Sequence, residues 1–162
     1  MSINEISTRI MEENVGIMKG IYVLILNLGN DAVIQIGKLG EIALKQGSYA
    51  YVGSAFGYGG FKRVTRHFNV ASGMNHVRKW HIDYLLPHSE VTCAVLMPSY
   101  APLECSVAQI LGKTLTGIPG FGCTDCRCSS HLFFSVNDPQ NIVVNMCSNL
   151  TGTESIIIRP NI

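Results

Sequence analysis

The chain has 162 residues, 47% of them hydrophobic and 14% charged, with a formal net charge of +1. That length supports one domain with a proper core, and the sparse charge excludes a disordered or coiled-coil chain. No apolar run approaches the ~20 residues of a membrane helix, and MSINEISTRIMEENVG at the start lacks the apolar segment of a secretory signal, so a cytoplasmic protein with reduced thiols is expected.

Residues 1–16 read as a polar N-terminal extension, a short helix or a frayed end. In GIYVLILNL, the run Ile21 to Leu28 is apolar at odd and even positions alike, as a strand buried on both faces would be. Asn30 and Asp31 signal a turn, AVIQIG a second strand, and Gly37 to Gly40 another turn. GEIALKQGSYAYVGSA then continues the sheet, so the early strands predict an antiparallel meander. FGYGG is a loop that matches neither a P-loop nor a dinucleotide fingerprint. A helix follows near Phe61. At about 100° per residue, Phe61, Val64 and Phe68 fall on one side and Arg63 and His67 on the other.

RKWHIDYLLP mixes basic and aromatic residues ahead of a proline stop. His81 and Asp83 would share a face on a strand and diverge on a helix. EVTCAVLM reads as a buried strand. LECSVAQIL reads as a helix with Leu103, Val107, Ile110 and Leu111 inward and Glu104 at the stripe's edge in the first turn. PGFGCTDCRCSSH is a cysteine-bearing loop, HLFFSV a strand, and NIVVNM and SIIIR two more strands in the tail.

Charge is unevenly distributed. Between Glu41 and Asp83 there is no acidic residue, while Lys45, Lys62, Arg63, Arg66, Arg78 and Lys79 supply six of the chain's twelve positive charges. Such a stripe on a near-neutral protein suits a phosphate backbone or forms a solvated positive face. The six cysteines are Cys93, Cys105, Cys123, Cys126, Cys128 and Cys147. C-x2-C-x-C-x2-H, at Cys123, Cys126, Cys128 and His131, offers soft and borderline ligands consistent with a structural zinc. That spacing is compressed, and Cys105 is a candidate to take the place of Cys123. Without a metal, the same thiols would serve as small buried hydrophobes.

Gly20-Ile21-Tyr22, then Tyr51-Val52-Gly53, then a helix with Arg63 and His67, then Glu104 opening a later helix resemble the GIY-YIG nuclease superfamily. YVGSA, RHF, WHIDYLL, ECSVAQIL and GFGCTDCRCSSHLFF extend the likeness to an uncharacterised branch filed as a domain of unknown function. A pattern in that branch is matched by Asp125, Cys126, Cys128, Ser130, His131 and Leu132. The resemblance covers residues 17–135 and leaves 136–162 as a C-terminal extension packed on the same domain. It implies an α+β fold, a small antiparallel or mixed sheet flanked by helices. The 28 residues between Tyr22 and Tyr51 call for an inserted hairpin, roughly 31–48, that must preserve the register of the two tyrosines.

The resemblance also implies phosphodiester hydrolysis with one divalent ion, magnesium or manganese, held by Glu104. Arg63 would neutralise the scissile phosphate, His67 would move a proton or position a water, Tyr22 would act as base or orient the water, and Tyr51 would bond a phosphate or water. Periodicity alone reads Glu104 as complementing a helix dipole and the tyrosines as core aromatics with hydroxyls at the rim. Lys62, Arg66, Arg78, Lys79 and His81 are the expected nucleic-acid contacts, with DNA the favoured partner. Two other readings stay open: a non-catalytic nucleic-acid-binding module on the same fold, and a zinc-stabilised interaction domain.

Overall fold

The computed structural model describes residues 18–124, 126–152 and 154–160. The expected N-terminal extension and Asp125 lie outside the described residues. β1 (Gly20–Leu28) is followed by β2 (Ala32–Ile36), a 3-10 turn (Gly37–Leu39), β3 (Gly40–Leu44) and β4 (Gly47–Ser54). Helices α1 (Lys62–Ser72) and α2 (His81–Leu85) precede β5 (Glu90–Pro98). Then come α3 (Glu104–Gly112), β6 (Thr116–Gly117), β7 (Leu132–Ser135), α4 (Gln140–Thr151) and β8 (Ile156–Ile158). The class is α+β. Among the described residues, no helix is long and apolar enough to cross a membrane.

Six strands form one sheet in the order β6-β7-β4-β1-β5-β8, every neighbouring pair antiparallel. β1 lies inside this sheet, and its alternation explains why it is apolar throughout. Tyr22, Leu24, Leu26 and Leu28 pack with Val64, Val70, Ile82 and Leu85 on the side of α1 and α2. Ile21, Val23 and Ile25 pack with Val107, Leu111, Val143 and Cys147 on the side of α3 and α4. Each face is thus covered by helices, and the two periodicities meet in one sandwich.

The first four strands do not form the predicted meander. β2 and β3 pair only with each other, as a separate two-stranded sheet. β4 returns directly to β1, with Leu28 opposite Gly47 and Tyr22 opposite Gly53. The chain between them therefore buds off beyond the end of the β1–β4 ladder. Tyr51 faces Leu24, so Tyr22 and Tyr51 emerge on the same side of the sheet.

NIVVNM is not a strand: it lies inside α4. Val143 and Cys147, four residues apart, are buried against the sheet. Gly152, left-handed at φ 71°, ends the helix with its N–H on the carbonyl of Ser148. Local β-branching favoured a strand, but burying one helical stripe against the sheet overrides it.

Candidate functional site

The two tripeptide glycines have a packing reason. Gly20 approaches the backbone of Met97 on β5, and a Cβ at Gly53 would overlap the Tyr22 ring. Gly53 is the residue opposite Tyr22 in the ladder, so its missing side chain is the space that the tyrosine occupies. Gly53→Ala is expected to cost about 1–3 kcal/mol, as overpacked cores do. Urea denaturation checks this; an unchanged midpoint would count against the packing role.

Tyr22 meets the helix behind it. Its hydroxyl lies 2.7 Å from His67 Nε2. The predicted helix face was wrong here: Val64, His67 and Val70 form the buried stripe of α1, and His67 is fully buried. Three- and six-residue spacing brings this histidine under the apolar stripe, while Arg63 flanks it. Burial holds the imidazole neutral, with its pKa lowered to about 3; Asp83 pulls weakly the other way. Nδ1 is buried with no hydrogen-bond partner. An orphaned N–H is rarer in proteins than an orphaned acceptor. On that ground we assign the proton to Nε2, donated to the Tyr22 oxygen, which leaves the phenolic O–H free to donate elsewhere.

His67 makes folding acid-sensitive. An imidazole in the unfolded chain takes up a proton near its ordinary value of about 6.5, while folded His67 stays neutral down to about 3. Between these limits the unfolded state binds more protons, so stability falls as pH falls, by at most about 1.4 kcal/mol per pH unit. Urea titrations from neutral pH downward should show a shallower acid limb for His67→Phe than for the native chain. Parallel limbs would contradict this.

Tyr22, Tyr51, Arg63 and Glu104 line one cleft of about 460 Å³, with His67 directly behind Tyr22. They come from β1, β4, α1 and the first residue of α3. Burial, and then the neighbouring Tyr51, raise the pKa of Tyr22 well above its ordinary value, although Arg63 opposes them. Burial and then Glu104 raise that of Tyr51. Both are therefore phenols in this state, donors and not bases. Arg63 donates to the Ser54 carbonyl at 2.8 Å and stacks 4.7 Å from the Trp80 ring centre. Those contacts fix the guanidinium's plane at the cleft edge.

The expected basic contacts divide. Lys79 and His81 line the cleft; Lys62, Arg66 and Arg78 do not. Arg66 is committed to Asp83 through two 2.9 Å hydrogen bonds. Arg78 is exposed and turned onto the carbonyl of Val77, and Lys62 is exposed on α1. His81 and Asp83 diverge because the segment is helical. His81 Nδ1 accepts the Gly122 N–H at 2.9 Å, and burial lowers its pKa.

Sequence reasoning missed Trp80 and Lys38. Trp80 lies within cation–π range of Arg63, Arg66 and Lys79; its position between basic residues in RKWH was the available signal. Lys38 reaches the cleft from the tip of the inserted hairpin, which no local pattern could show.

Glu104 Oε1 sits 3.0 Å from His131 Nδ1, at ion-pair distance but off the direction of an aligned hydrogen bond. Burial opposes protonation of His131, but the Glu104 carboxylate outweighs it and raises the imidazole's pKa. The ligand atoms of Cys105, Cys126, Cys128 and His131 lie within 4.8 Å of one another and could hold a metal ion. Cys123 is outside this set. Its thiol donates to the Phe121 carbonyl at 3.4 Å, and burial with neighbouring Cys126 pushes its pKa up to about 12. Cys105, next to Glu104 in α3, takes the fourth position.

The family model described as "Domain of unknown function DUF123" matches residues 21–152. Comparisons with curated proteins and with solved structures give no match.

Proposed function

The chain belongs to the DUF123 family, a domain of unknown function, and we propose that this member is a metal-dependent endonuclease of GIY-YIG type acting on nucleic acid, with DNA the expected substrate. The observation that carries this reading is the convergence of Tyr22, Tyr51, Arg63 and Glu104 on one cleft with Lys38 and Lys79 at its walls. A phosphate fits there: cationic donors surround it, and among the described residues one carboxylate stands among neutral phenols.

Glu104 suits magnesium or manganese. Its side chain is 31% exposed, and its only hydrogen bond or ion pair among the described residues is the His131 contact. One or two carboxylates plus substrate oxygens are what such hard ions usually take from a protein. A bound ion would supply Lewis-acid charge stabilisation and a more acidic water. Arg63 presents planar donors to the phosphate oxygens. Tyr22 orients the attacking water with its free O–H, and His67 Nε2–H stabilises the Tyr22 oxygen if it gives up its proton. Tyr51 donates to a phosphate oxygen. His81, with Nδ1 held by Gly122, offers Nε2–H to the nucleic acid. The reading takes the protein to act in the cytoplasm, where thiols persist reduced.

The Glu104–His131 contact favours a second reading, because a carboxylate engaged by imidazole is less available to an ion. On that reading the protein binds nucleic acid without cutting it. Labelled branched and single-stranded DNA, incubated with magnesium or manganese, separates the two. Metal-dependent cleavage supports the nuclease; steeply salt-sensitive binding with no cleavage supports the binding module.

A further inference from the structure

We propose that Cys105, Cys126, Cys128 and His131 hold one tetrahedral zinc ion, and that His131 links this ion to the carboxylate of Glu104, so that occupancy of the thiolate site sets the orientation of the only acidic side chain that lines the cleft among the described residues. The zinc half stands on geometry alone. The positioning half rests on the reading of Glu104 as a working residue of the cleft.

Four ligand atoms within 4.8 Å of one another need only small side-chain shifts to close on one ion, whose Zn–S bonds run ~2.3 Å and Zn–N bonds ~2.0–2.1 Å. Three thiolates and one imidazole complete a tetrahedron and leave no open position, the hallmark of an ion that holds structure and performs no reaction. The imidazole already lies between the two groups. Its Nε2 faces the cysteines, 3.5 Å from Cys126 Sγ, and its Nδ1 faces Glu104 Oε1 at 3.0 Å. Coordination through Nε2 puts the proton on Nδ1, which is buried and has no aligned hydrogen-bond partner as it stands; Glu104 Oε1 is the acceptor within reach, after a small rotation. A carboxylate on the far side of a metal-bound histidine is the usual partner for that proton.

The backbone holds His131 for this task. Its N–H donates to the Phe121 carbonyl and its carbonyl accepts from Val52 N–H on β4, both at 2.9 Å. Ser130 next to it is buried and pinned to Leu132 through both its donor and its acceptor functions. On α3, Glu104 and Cys105 are consecutive, about 100° apart around the axis. One turn of helix therefore sends a carboxylate to the cleft and a thiol to the ion. The ion ties the loop of Cys126 and Cys128 to the start of α3, and His131 transmits its presence to Glu104.

Metal binding by the purified chain tests this without reading cleavage. Zinc(II) should bind with one equivalent, and cobalt(II) should give the intense charge-transfer bands of tetrahedral thiolate ligation. Competition with a chromophoric chelator should show Glu104→Gln binding zinc about 10–100-fold more weakly at unchanged stoichiometry, the usual effect of losing a carboxylate behind a histidine ligand. Cys123→Ser should match the native chain. Cys126→Ser should lose the site, and if it fails to fold, the cobalt spectrum of the native chain and the Glu104→Gln affinity still decide. Absence of stoichiometric binding by the native chain, or loss of binding in Cys123→Ser, would overturn the site. Equal affinity in Glu104→Gln and the native chain would overturn the link to the cleft. A chain that binds zinc as expected but cuts no DNA would leave the zinc site and its contact with Glu104 standing and remove the nuclease reading, and with it the catalytic purpose of positioning Glu104.

Discussion

Asp83→Ala is expected to destabilise the fold by about 3 kcal/mol or more, near the lower end of what breaking a buried charge pair costs. The carboxylate is fully buried, while the Arg66 side chain is 22% exposed. It receives two hydrogen bonds from Arg66 at 2.9 Å and the backbone N–H groups of Lys79 and Trp80 at 2.8 and 2.9 Å. Burial works against its ionisation, but Arg66 and the two backbone donors outweigh that and hold its pKa below the ordinary value. Alanine leaves all these donors unmatched. Arg66 can recover some water through its exposed edge, which is why the lower figure applies. The loss extends to the cleft: Asp83 caps α2 from its own first turn, and Trp80, the flat surface beneath Arg63 and Arg66, is positioned by that cap. Urea denaturation reads the stability change. A shift under about 1 kcal/mol would match an exposed pair and contradict this account.

Arg63→Ala is expected to slow cleavage by about 10²–10³-fold, the scale seen when one preorganised donor to a developing charge is removed. Stability should hardly change, because the side chain is only half-buried and its removal leaves just the Ser54 carbonyl without its donor. Arg63→Lys should not restore the rate. An ammonium cannot keep the Ser54 bond, lie flat near Trp80 and still offer paired donors to phosphate. The useful comparison is Lys62→Ala on the preceding residue of the same helix. Lys62 is exposed and lies outside the cleft lining, so its removal should weaken DNA binding modestly and leave the single-turnover rate at saturation unchanged. Equal rate losses in the two variants would mean that the basic stripe acts only as a general electrostatic field.

How far the sequence reveals this site depends on which interactions are local. β1 declared itself because both its faces are covered. The insert could be read as a hairpin from its turn residues, and its harmless effect on register follows from where it leaves the ladder, after Leu28. Glu104 and Cys105 were legible as the start of a helix. His67 was misread because Phe68 was counted into the apolar stripe; at about 100° per residue His67 lies about 60° from both Val64 and Val70, between two buried valines, while Phe68 is only half-buried. Arg66 looked free because Asp83, its partner, is distant in sequence and the pairing requires α2 to be helical. NIVVNM looked like a strand because three β-branched residues in a row carry strand propensity, whereas its burial follows a helical spacing set by the sheet beneath. The choice of Cys105 over Cys123 was open on spacing alone. It follows from the Cys123 thiol turning to the Phe121 carbonyl while α3 brings Cys105 to Cys126, Cys128 and His131.

The central claim is that the cleft hydrolyses phosphodiesters with an ion held at Glu104. The most direct test compares the native chain with Glu104→Ala on labelled branched and single-stranded DNA, with magnesium or manganese, after both are shown to be folded and equally loaded with zinc. Metal-dependent cutting by the native chain is expected to be lost in the variant, while DNA binding persists. Cutting at equal rates by both, or none by the native chain on any substrate while salt-sensitive binding remains, would contradict it.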